Sequence, residues 1–385
     1  MSVSKKKICM LAATPLTIHF FLRPHLLELA KEHEVTLLVN LSNDTYLPPL
    51  DLPIRIISIP IARKISPLAD LYTLVILMGI FREAHYDLLI TVVPKAGLLG
   101  MIAGFLTCIP KRLHIFQGEV WANRSGFSRF LLKGCDWLTA HLATNILAVS
   151  NSERHFLERE RVVSLGKAQV LGKGSIGGVN LSRFKPDLSL AERTRQELKI
   201  PLSATVLIFM GRLVADKGIK ELLEAYQLVR KSDNRLWLLL VGPDEEGQMQ
   251  SYMDSLGDEG DQIRQVDFTS QPEKYLAVAD FLCLPSHREG FGVVIIEAAA
   301  MGIPAIGSKI YGISDAIVDR QTGLLFAVNN VSQLKNCIDK LSEDSAYRKT
   351  LGSNALRNVE HYFDSSQVIR AYLDYINLVL NQSQG

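Results

Sequence analysis

The feature that most constrains this chain is an alternation, run through twice, between short apolar runs of strand length and longer stretches with helical spacing. Lys7 to Ala13, Val35 to Asn40, Ile54 to Ile59, Leu88 to Val93 and Arg112 to Phe116 read as strands. Arg23 to Glu34, Ala69 to Ala84, Gly97 to Leu106 and Ser128 to Ala143 read as helices, followed by strands Ile146 to Val149 and Ala168 to Leu171. Units of this spacing imply parallel pairing, because a parallel neighbour is reached only through a crossover. The pattern breaks in the glycine-rich Gly172 to Gly178 and the polar Asn180 to Ser189, then restarts. Strands Thr205 to Met210, Leu236 to Val241, Ile263 to Val266, Phe281 to Leu284 and Ala305 to Gly307 alternate with helices Ile219 to Lys231, Met249 to Gly257, Gln271 to Val278, Val294 to Met301 and Ser314 to Val318. Two doubly wound α/β domains in tandem are expected, which suits 385 residues, since one core stops growing at roughly 250 to 300. The expected domains are 1–185 and 186–360, with 361–385 carrying a last helix near Ser365 to Gln382.

At 48% apolar and 21% charged residues the chain can pack throughout. Its start, Met1 to Lys7, is basic, but the apolar run behind it is cut by Pro15, His19 and Arg23 and shows no small-residue cleavage site, so no signal peptide is expected. Ile65 to Phe81, interrupted by Asp70, and Gly97 to Pro110 are the most apolar stretches, and both fall short of the roughly 20 residues that span a bilayer. Five scattered cysteines, Cys9, Cys108, Cys135, Cys283 and Cys337, form no CxxC pair, which fits a reducing cytosol. The net charge of +2 hides an asymmetry: residues 1–185 hold 22 basic and 13 acidic side chains, giving +9, and the remainder 20 and 27, giving −7. A basic half points to an anionic partner, whether membrane lipid, a phosphorylated acceptor or nucleic acid, or else to a chance distribution over two solvated surfaces.

Chemistry concentrates in the second half. Strand Thr205 to Met210 ends in Gly211-Arg-Leu-Val-Ala-Asp-Lys-Gly218 directly before a helix, which puts Arg212 and Lys217 at the carboxyl edge of the sheet beside a helix amino terminus. A diphosphate gains there from cationic side chains and free amides together. The bland alternative pairs both cations with acids such as Asp216 or Glu221. Farther on, strand Phe281 to Leu284 feeds Pro285-Ser-His-Arg-Glu-Gly-Phe-Gly-Val-Val-Ile-Ile-Glu297. Glu289 then lies in the loop, Glu297 on the helix it enters, and the amides of Phe291, Gly292 and Val293 at the helix start. One ligand could meet a carboxylate for its hydroxyls, amides for its phosphate and a second carboxylate for a ribose. A metal site is disfavoured because no His or Asp stands at ligand spacing with the pair. Alone, the two glutamates would read as a turn residue and a helix-surface charge.

The run Gly211 to Gly218 together with Glu289-(seven residues)-Glu297 resembles the signature of the retaining glycosyltransferases of family 4, enzymes of the GT-B fold, in which two Rossmann-like domains face a central cleft. Val241-Gly242, Ala279-Asp280, Gly302-Ile-Pro304 and Thr322-Gly-Leu-Leu325 agree in context, so the likeness covers nearly the whole chain. The resemblance implies a nucleotide-sugar donor, UDP-linked as the first expectation, with Arg212 and Lys217 on the diphosphate, Glu289 on the sugar hydroxyls and Glu297 on the ribose. Gly290, Phe291, Gly292, Val293 and, from the first domain, Thr14 complete the implied donor site, and Arg212, Lys217 and Glu289 carry the catalytic expectation. It implies no metal ion and no cofactor, since two cations and a helix dipole neutralise the leaving diphosphate. In the family the final helix usually crosses back to the first domain.

The first domain departs from the family pattern. Many members have paired glycines after the first strand where this chain has Ala12-Ala-Thr-Pro15, and a histidine where this chain has Gln117, within His114-Ile-Phe-Gln-Gly-Glu-Val-Trp121. A reaction in which the leaving phosphate helps take the acceptor proton does not require that histidine. Arg112 to Phe130 resembles the subset that builds bacterial surface polysaccharides of the O-antigen or capsule type, adding a sugar to a glycan or polyprenyl-diphosphate-linked acceptor. On that reading Lys95, His114, Gln117, Glu119 and Arg124 are candidate acceptor contacts, and Arg129 and Lys133 add positive charge. Trp121, Trp137 and Phe127 would supply interfacial aromatics for a peripheral contact with an anionic membrane on the cytoplasmic face of the inner membrane. The alternative makes the aromatics core and the cations a solvated face. Gly174-Ser-Ile-Gly-Gly178 lacks the Lys-Ser/Thr that would follow in a phosphate loop and reads as an interdomain loop. A nucleotide-sugar epimerase or hydrolase of the same fold is the rival enzyme, and a catalytically silent binding subunit the rival from another class. No recognised nucleic-acid module accompanies the basic half.

Overall fold

The computed structural model describes residues 5–42, 50–62, 66–231 and 233–382. Met1 to Ser4 of the basic start, and Ile65, lie outside the described residues. The chain divides into two compact units, residues 1–177 with 366–385 and residues 178–365.

In the first unit β1 (Lys7–Ala12), β2 (Glu34–Val39), β3 (Arg55–Ser58), β4 (Leu88–Val92), β5 (Lys111–Phe116), β6 (Asn145–Ala148) and β7 (Ala168–Gln169) form one parallel sheet in the order β3-β2-β1-β4-β5-β6-β7. In the second, β8 (Thr205–Met210), β9 (Leu236–Val241), β10 (Ile263–Val266), β11 (Phe281–Leu284), β12 (Ala305–Ser308) and β13 (Gly323–Phe326) take the order β10-β9-β8-β11-β12-β13. Each sheet starts at its centre, winds to one edge, returns and winds to the other. The strand order reverses between β1 and β4 in one unit and between β8 and β11 in the other, and in sheets of this plan ligands bind at the carboxyl ends of the strands beside the reversal. Crossover helices cover both faces of all-parallel sheets, so their strands read as unbroken apolar runs. Accordingly β9, Leu-Trp-Leu-Leu-Leu-Val, is buried along its whole length, and β1 and β2 are buried after their first residue.

Helices Pro15–Thr17, Pro67–Ala84, Pro94–Leu106 and Pro272–Leu276 begin on proline, whose fixed φ suits the first helical position and whose missing N–H has no intrahelical partner to lose. This corrects one start in the sequence reading, since the helix after β4 begins at Pro94 rather than Gly97. A short helix, Pro15–Thr17, also precedes the expected one at Arg23. Pro24 is accommodated by a π-helical turn, Ile18–Leu22, in which Arg23 N donates to Ile18 O, ahead of helix Arg23–Glu32. Helices Asn151–Arg159, Leu188–Glu197, Val331–Glu343 and Ser345–Tyr362 are additional to those expected from the sequence. Each has a side-chain cap, from Ser150, Asp187, Asn330 and Asp344, accepting the amide three residues on.

The last helix, Ser365–Asn381, buries Val368, Tyr372, Ile376 and Val379. It is tied to the first unit where Lys111 donates to the Leu380 carbonyl and the Tyr372 ring meets His25 edge-on at 4.6 Å. Among the described residues no helix is long and apolar enough to cross a membrane.

Candidate active site

After β8 the chain passes Arg212, makes a 3-10 turn at Ala215–Lys217 and enters helix Ile219–Arg230 through Gly218. After β11 it runs from Pro285 to Gly292 and enters helix Val293–Ala300. These two loops touch. Gly218 has φ 70°, and a Cβ there would stand 2.2 Å from the Pro285 carbonyl oxygen, so glycine alone permits the approach. The His287 amide donates to the Asp216 carbonyl at 2.9 Å and fixes the register between them.

Three side-chain pairs complete the joint. Lys217 Nζ donates to Glu289 Oε1, which also accepts the Ser286 hydroxyl at 2.9 Å. His287 Nε2 lies 2.9 Å from Glu221 Oε1, and Arg288 Nη2 lies 3.4 Å from Asp216 Oδ2. The acids that offered a bland pairing for Arg212 and Lys217 are therefore engaged by His287 and Arg288, while Lys217 reaches the candidate carboxylate. Arg212 pairs with Glu245 at 2.9 Å, with side chains 40% and 34% exposed against 17% and 15% for Lys217 and Glu289. The Arg212 pair is solvated and weak enough to yield to a ligand anion; the Lys217 pair is partly desolvated and stronger.

Glu297 stands one turn into its helix, and burial pushes its carboxyl up to about 7, with Arg183 opposing the rise and Glu273 adding to it. Arg183 is itself bound to Glu273 at 2.7 Å and donates to the Ser270 carbonyl at 2.7 Å. A carboxyl near its midpoint at neutral pH ionises readily when hydroxyl donors reach it. Gly292 caps the helix with φ 71°, and the first amides of a helix have no partner within it. Phe291 is buried, its ring 5.3 Å from that of Phe363, so backbone is what it can offer a ligand; Gly290 lies beside it in the loop.

In the first unit, Thr14 precedes helix Pro15–Thr17 with an extended backbone and makes no capping bond. Lys95 pairs with Asp70 at 2.7 Å, both largely shielded. Between β4 and Pro94, Val93 has φ 66°, a strained conformation for a β-branched residue. His114 is buried in β5, with Nδ1 2.8 Å from Thr91 Oγ1, and burial pushes its pKa down to about 3. It is a neutral core residue, which corrects its place among the acceptor contacts. Trp121 is corrected in the same way, being 1% exposed with Nε1 donating to Asp136 Oδ2 at 2.7 Å. Arg129 and Lys133 both bind Glu160 Oε2 at 2.7 Å, so one carboxylate absorbs both cations. Gln117 and Glu119 occupy the loop after β5, with Glu119 buried, and Arg124 is exposed. Phe127 and Trp137 do stand exposed, joined by Phe130 and Leu131 on the same helix, Gly126–Leu142. Sequence reasoning missed Ser286, Glu245, Arg183 and Glu153. Ser286 had a local signal in its turn spacing to Glu289 and Glu153 one in the Ser150-x-x-Glu153 capping spacing, whereas Glu245 and Arg183 acquire their roles from contacts between distant segments. Among the described residues no group of three or more His, Cys, Asp or Glu could hold a metal ion.

Two all-parallel doubly wound sheets in one chain, with cations, carboxylates and a helix start at the reversal of the second, are the architecture of the GT-B class. The family model for glycosyl transferases group 1 matches residues 191–358. The capsular polysaccharide biosynthesis glycosyltransferase CapM of Staphylococcus aureus is 31% identical over 330 residues, covering 85% of this chain and 86% of that protein. The UDP-Gal:alpha-D-GlcNAc-diphosphoundecaprenol alpha-1,3-galactosyltransferase of Escherichia coli is 23% identical over 342 residues, 86% of each. In fold, the chain matches the sucrose-phosphate synthase structure from Thermosynechococcus elongatus with a TM-score of 0.81 at 20% identity, over 98% of this chain and 100% of that one. The chain belongs to the group 1 glycosyl transferases.

Proposed function

We propose that the protein transfers a sugar, with retention of anomeric configuration and without a metal ion, from a UDP-sugar to a polyprenyl-diphosphate-linked saccharide during synthesis of a capsule or O-antigen type polysaccharide. The observation that carries this reading is the Lys217–Glu289–Ser286 cluster at the reversal of the second sheet, with Arg212 on the open side of the same loop. The bond from the anomeric carbon to the phosphate oxygen breaks and its electron pair leaves with the diphosphate. The acceptor hydroxyl oxygen bonds to that carbon on the same face, and its proton passes to the departing phosphate oxygen. Arg212, Lys217 and the first amides of helix Val293–Ala300 hold the charge that grows on the diphosphate, the role a metal ion plays in other enzymes. Glu289 binds the sugar hydroxyls and stabilises positive charge at the anomeric carbon, and Glu297 takes the ribose hydroxyls.

The capsule-type pathway is supported by the likeness to CapM, and the acceptor class and UDP donor by the likeness to the Escherichia coli enzyme, whose name states both a UDP-linked donor and a diphosphoundecaprenol acceptor. The enzyme works at the cytoplasmic face of the inner membrane, with exposed Phe127, Phe130, Leu131 and Trp137 toward the lipid. Nucleic acid is not a partner.

The test is a panel of nucleotide sugars against polyprenyl-diphosphate-linked saccharides, with and without chelator, reading glycolipid product and free sugar and assigning the new linkage by NMR. Acceptor-dependent consumption of a UDP-sugar, a product of unchanged configuration and indifference to chelator are expected. An inverted product overturns retention, and a requirement for added divalent ion overturns the metal-free reading. Equal turnover of donor without acceptor favours the hydrolase or epimerase instead.

A further inference from the structure

The β5–β6 ladder ends at Phe116 and Ala148, and beyond it the two chains part. One side chain serves both where they separate. Glu153, fully buried, accepts the Gly118 amide at 2.5 Å on one carboxylate oxygen and the Val149 amide at 2.8 Å on the other. Its own amide donates to Ser150 Oγ at 3.1 Å, which anchors it in the first turn of helix Asn151–Arg159. One turn on, Phe156 stacks against Trp121 with ring centres 5.2 Å apart. From the other side, helix Gly126–Leu142 supplies Asp136 to Trp121 Nε1, and Arg129 donates to the Trp121 and Ala122 carbonyls at 3.3 Å. Segment 117–122 is thus held at two points by one helix and at two by another. Gly118, with φ 89°, lets the amide turn inward to the carboxylate.

A buried carboxylate costs free energy unless donors compensate it, so its use here needs a reason beyond filling space. It is an acceptor at both oxygens and can serve two amides at once; glutamine, of the same shape, would set an N–H group against one of them. Next to the held amide is Gln117, whose Nε2 is buried without a hydrogen-bond partner among the described residues.

We propose that Glu153 is a positioning residue for sugar transfer, holding segment 117–119, and Gln117 with it, in the conformation that receives the acceptor. This deepens the transferase reading and rests on it. The test uses the full chain, with UDP as the calorimetric probe, backbone hydrogen exchange, and steady-state transfer to the acceptor found in the panel above. Glu153→Gln should leave the Kd for UDP within about twofold while exchange quickens in 117–124 and 149–150. The kcat/KM for acceptor should fall at least about tenfold, since small misplacements of a substrate-holding group carry losses up to about 100-fold. Gly118→Ala, which strains the same loop and leaves the carboxylate in place, should reproduce the acceptor defect, and it decides the matter if Glu153→Gln does not fold. Wild-type acceptor constants in the folded variant overturn the inference. So does a loss shared equally by UDP binding, acceptor use and exchange throughout the unit, which marks a purely structural role. Wild-type protein that turns over donor but uses no acceptor overturns the transferase reading and this inference with it, an outcome separate from a variant-only failure.

Discussion

At the reversal of the second sheet, the loops after β8 and β11 hold Arg212 in a pair with Glu245 that is open to solvent, and Lys217, Ser286 and Glu289 in a shielded cluster beside it. At the matching reversal of the first, the loops after β1 and β4 hold Thr14 and the strained Val93, and helix Pro94–Leu106 opens with Lys95, whose charge is met by Asp70. Farther along the first unit, Arg129 and Lys133 are met by Glu160. Residues 1–185 carry +9 and the remainder −7, yet the acidic half is the one whose cations stand beside a ligand-binding edge. Net charge sets a long-range field, whereas capture of a diphosphate depends on which cations stand at a crevice with partners a ligand can displace.

The contrast is broken most directly at its two lysines. On the proposed role, Lys217→Ala would remove a diphosphate contact and strand Glu289, so kcat/KM should fall by about 100-fold or more, roughly 3 kcal/mol, the scale of losing one oriented donor to a growing negative charge. Lys95→Ala should cost less than about tenfold, because its partner Asp70 is not one of the candidate donor-site carboxylates, whereas Lys217 is held by Glu289. Equal losses in steady-state kinetics would erase the distinction between the two reversals. Glu289→Gln keeps the shape and loses the charge, and should lower kcat at least about tenfold, about 1.4 kcal/mol, with calorimetric affinity for UDP little altered.

How far the sequence spoke follows the same division. Strands buried on both faces declare themselves as apolar runs, so every strand of the first unit and all but β13 of the second could be read within a few residues. The polar helix Leu188–Glu197 could not, because a cap and tertiary contact rather than a dominant apolar stripe start it, whereas Val331–Glu343 buries Leu334, Ile338 and Leu341 on one face and did carry a readable period. Pro94 misled because proline breaks a helix from within but begins one at its first position. The gathering of Arg212, Lys217 and Glu289 was legible since strand ends at a reversal bring those loops together by topology. The fate of His114 and Trp121 was not, because aromatic rings with a polar atom suit a core with one hydrogen-bond partner as well as a surface.

A second way to sharpen the contrast uses pH. Burial raises the Glu297 carboxyl to about 7, so it is largely protonated at pH 6 and ionised at pH 8. If the ionised form takes the ribose hydroxyls, affinity for UDP should rise up to about tenfold across that range, one pKa unit being about 1.4 kcal/mol. Glu297→Gln should flatten the rise. The stability sign is opposite. A raised acid pKa means the folded state holds a proton that the unfolded state releases, so this group's contribution declines as pH climbs from its ordinary value near 4.5 through 7. Relative to Glu297→Gln, the wild type should therefore lose Tm over that interval. A pH-independent Kd with a parallel pair of Tm profiles would remove Glu297 from the ribose site.

The smallest effects concern the proposed contact of the first unit with a membrane. Counting cations predicts salt-sensitive attachment through Arg124, Arg129 and Lys133, but Glu160 engages two of them, and their side chains also lie against the Trp121 ring. Helix Gly126–Leu142 instead presents Phe127, Phe130, Leu131 and Trp137, exposed by 77%, 75%, 49% and 50%. Full burial of such a side chain contributes about 1.5 to 3 kcal/mol, so shallow insertion of each phenylalanine should supply about 1 kcal/mol. Phe127→Ser and Phe130→Ser should each lower the bound fraction about fivefold in vesicle flotation, in neutral and anionic lipid alike. Arg124→Gln should weaken binding by at most about as much, in anionic vesicles only, with the effect vanishing at high salt. Complete release of the wild type by salt, with both serine variants binding normally, would return the attachment to charge and show that Glu160 does not silence its two partners.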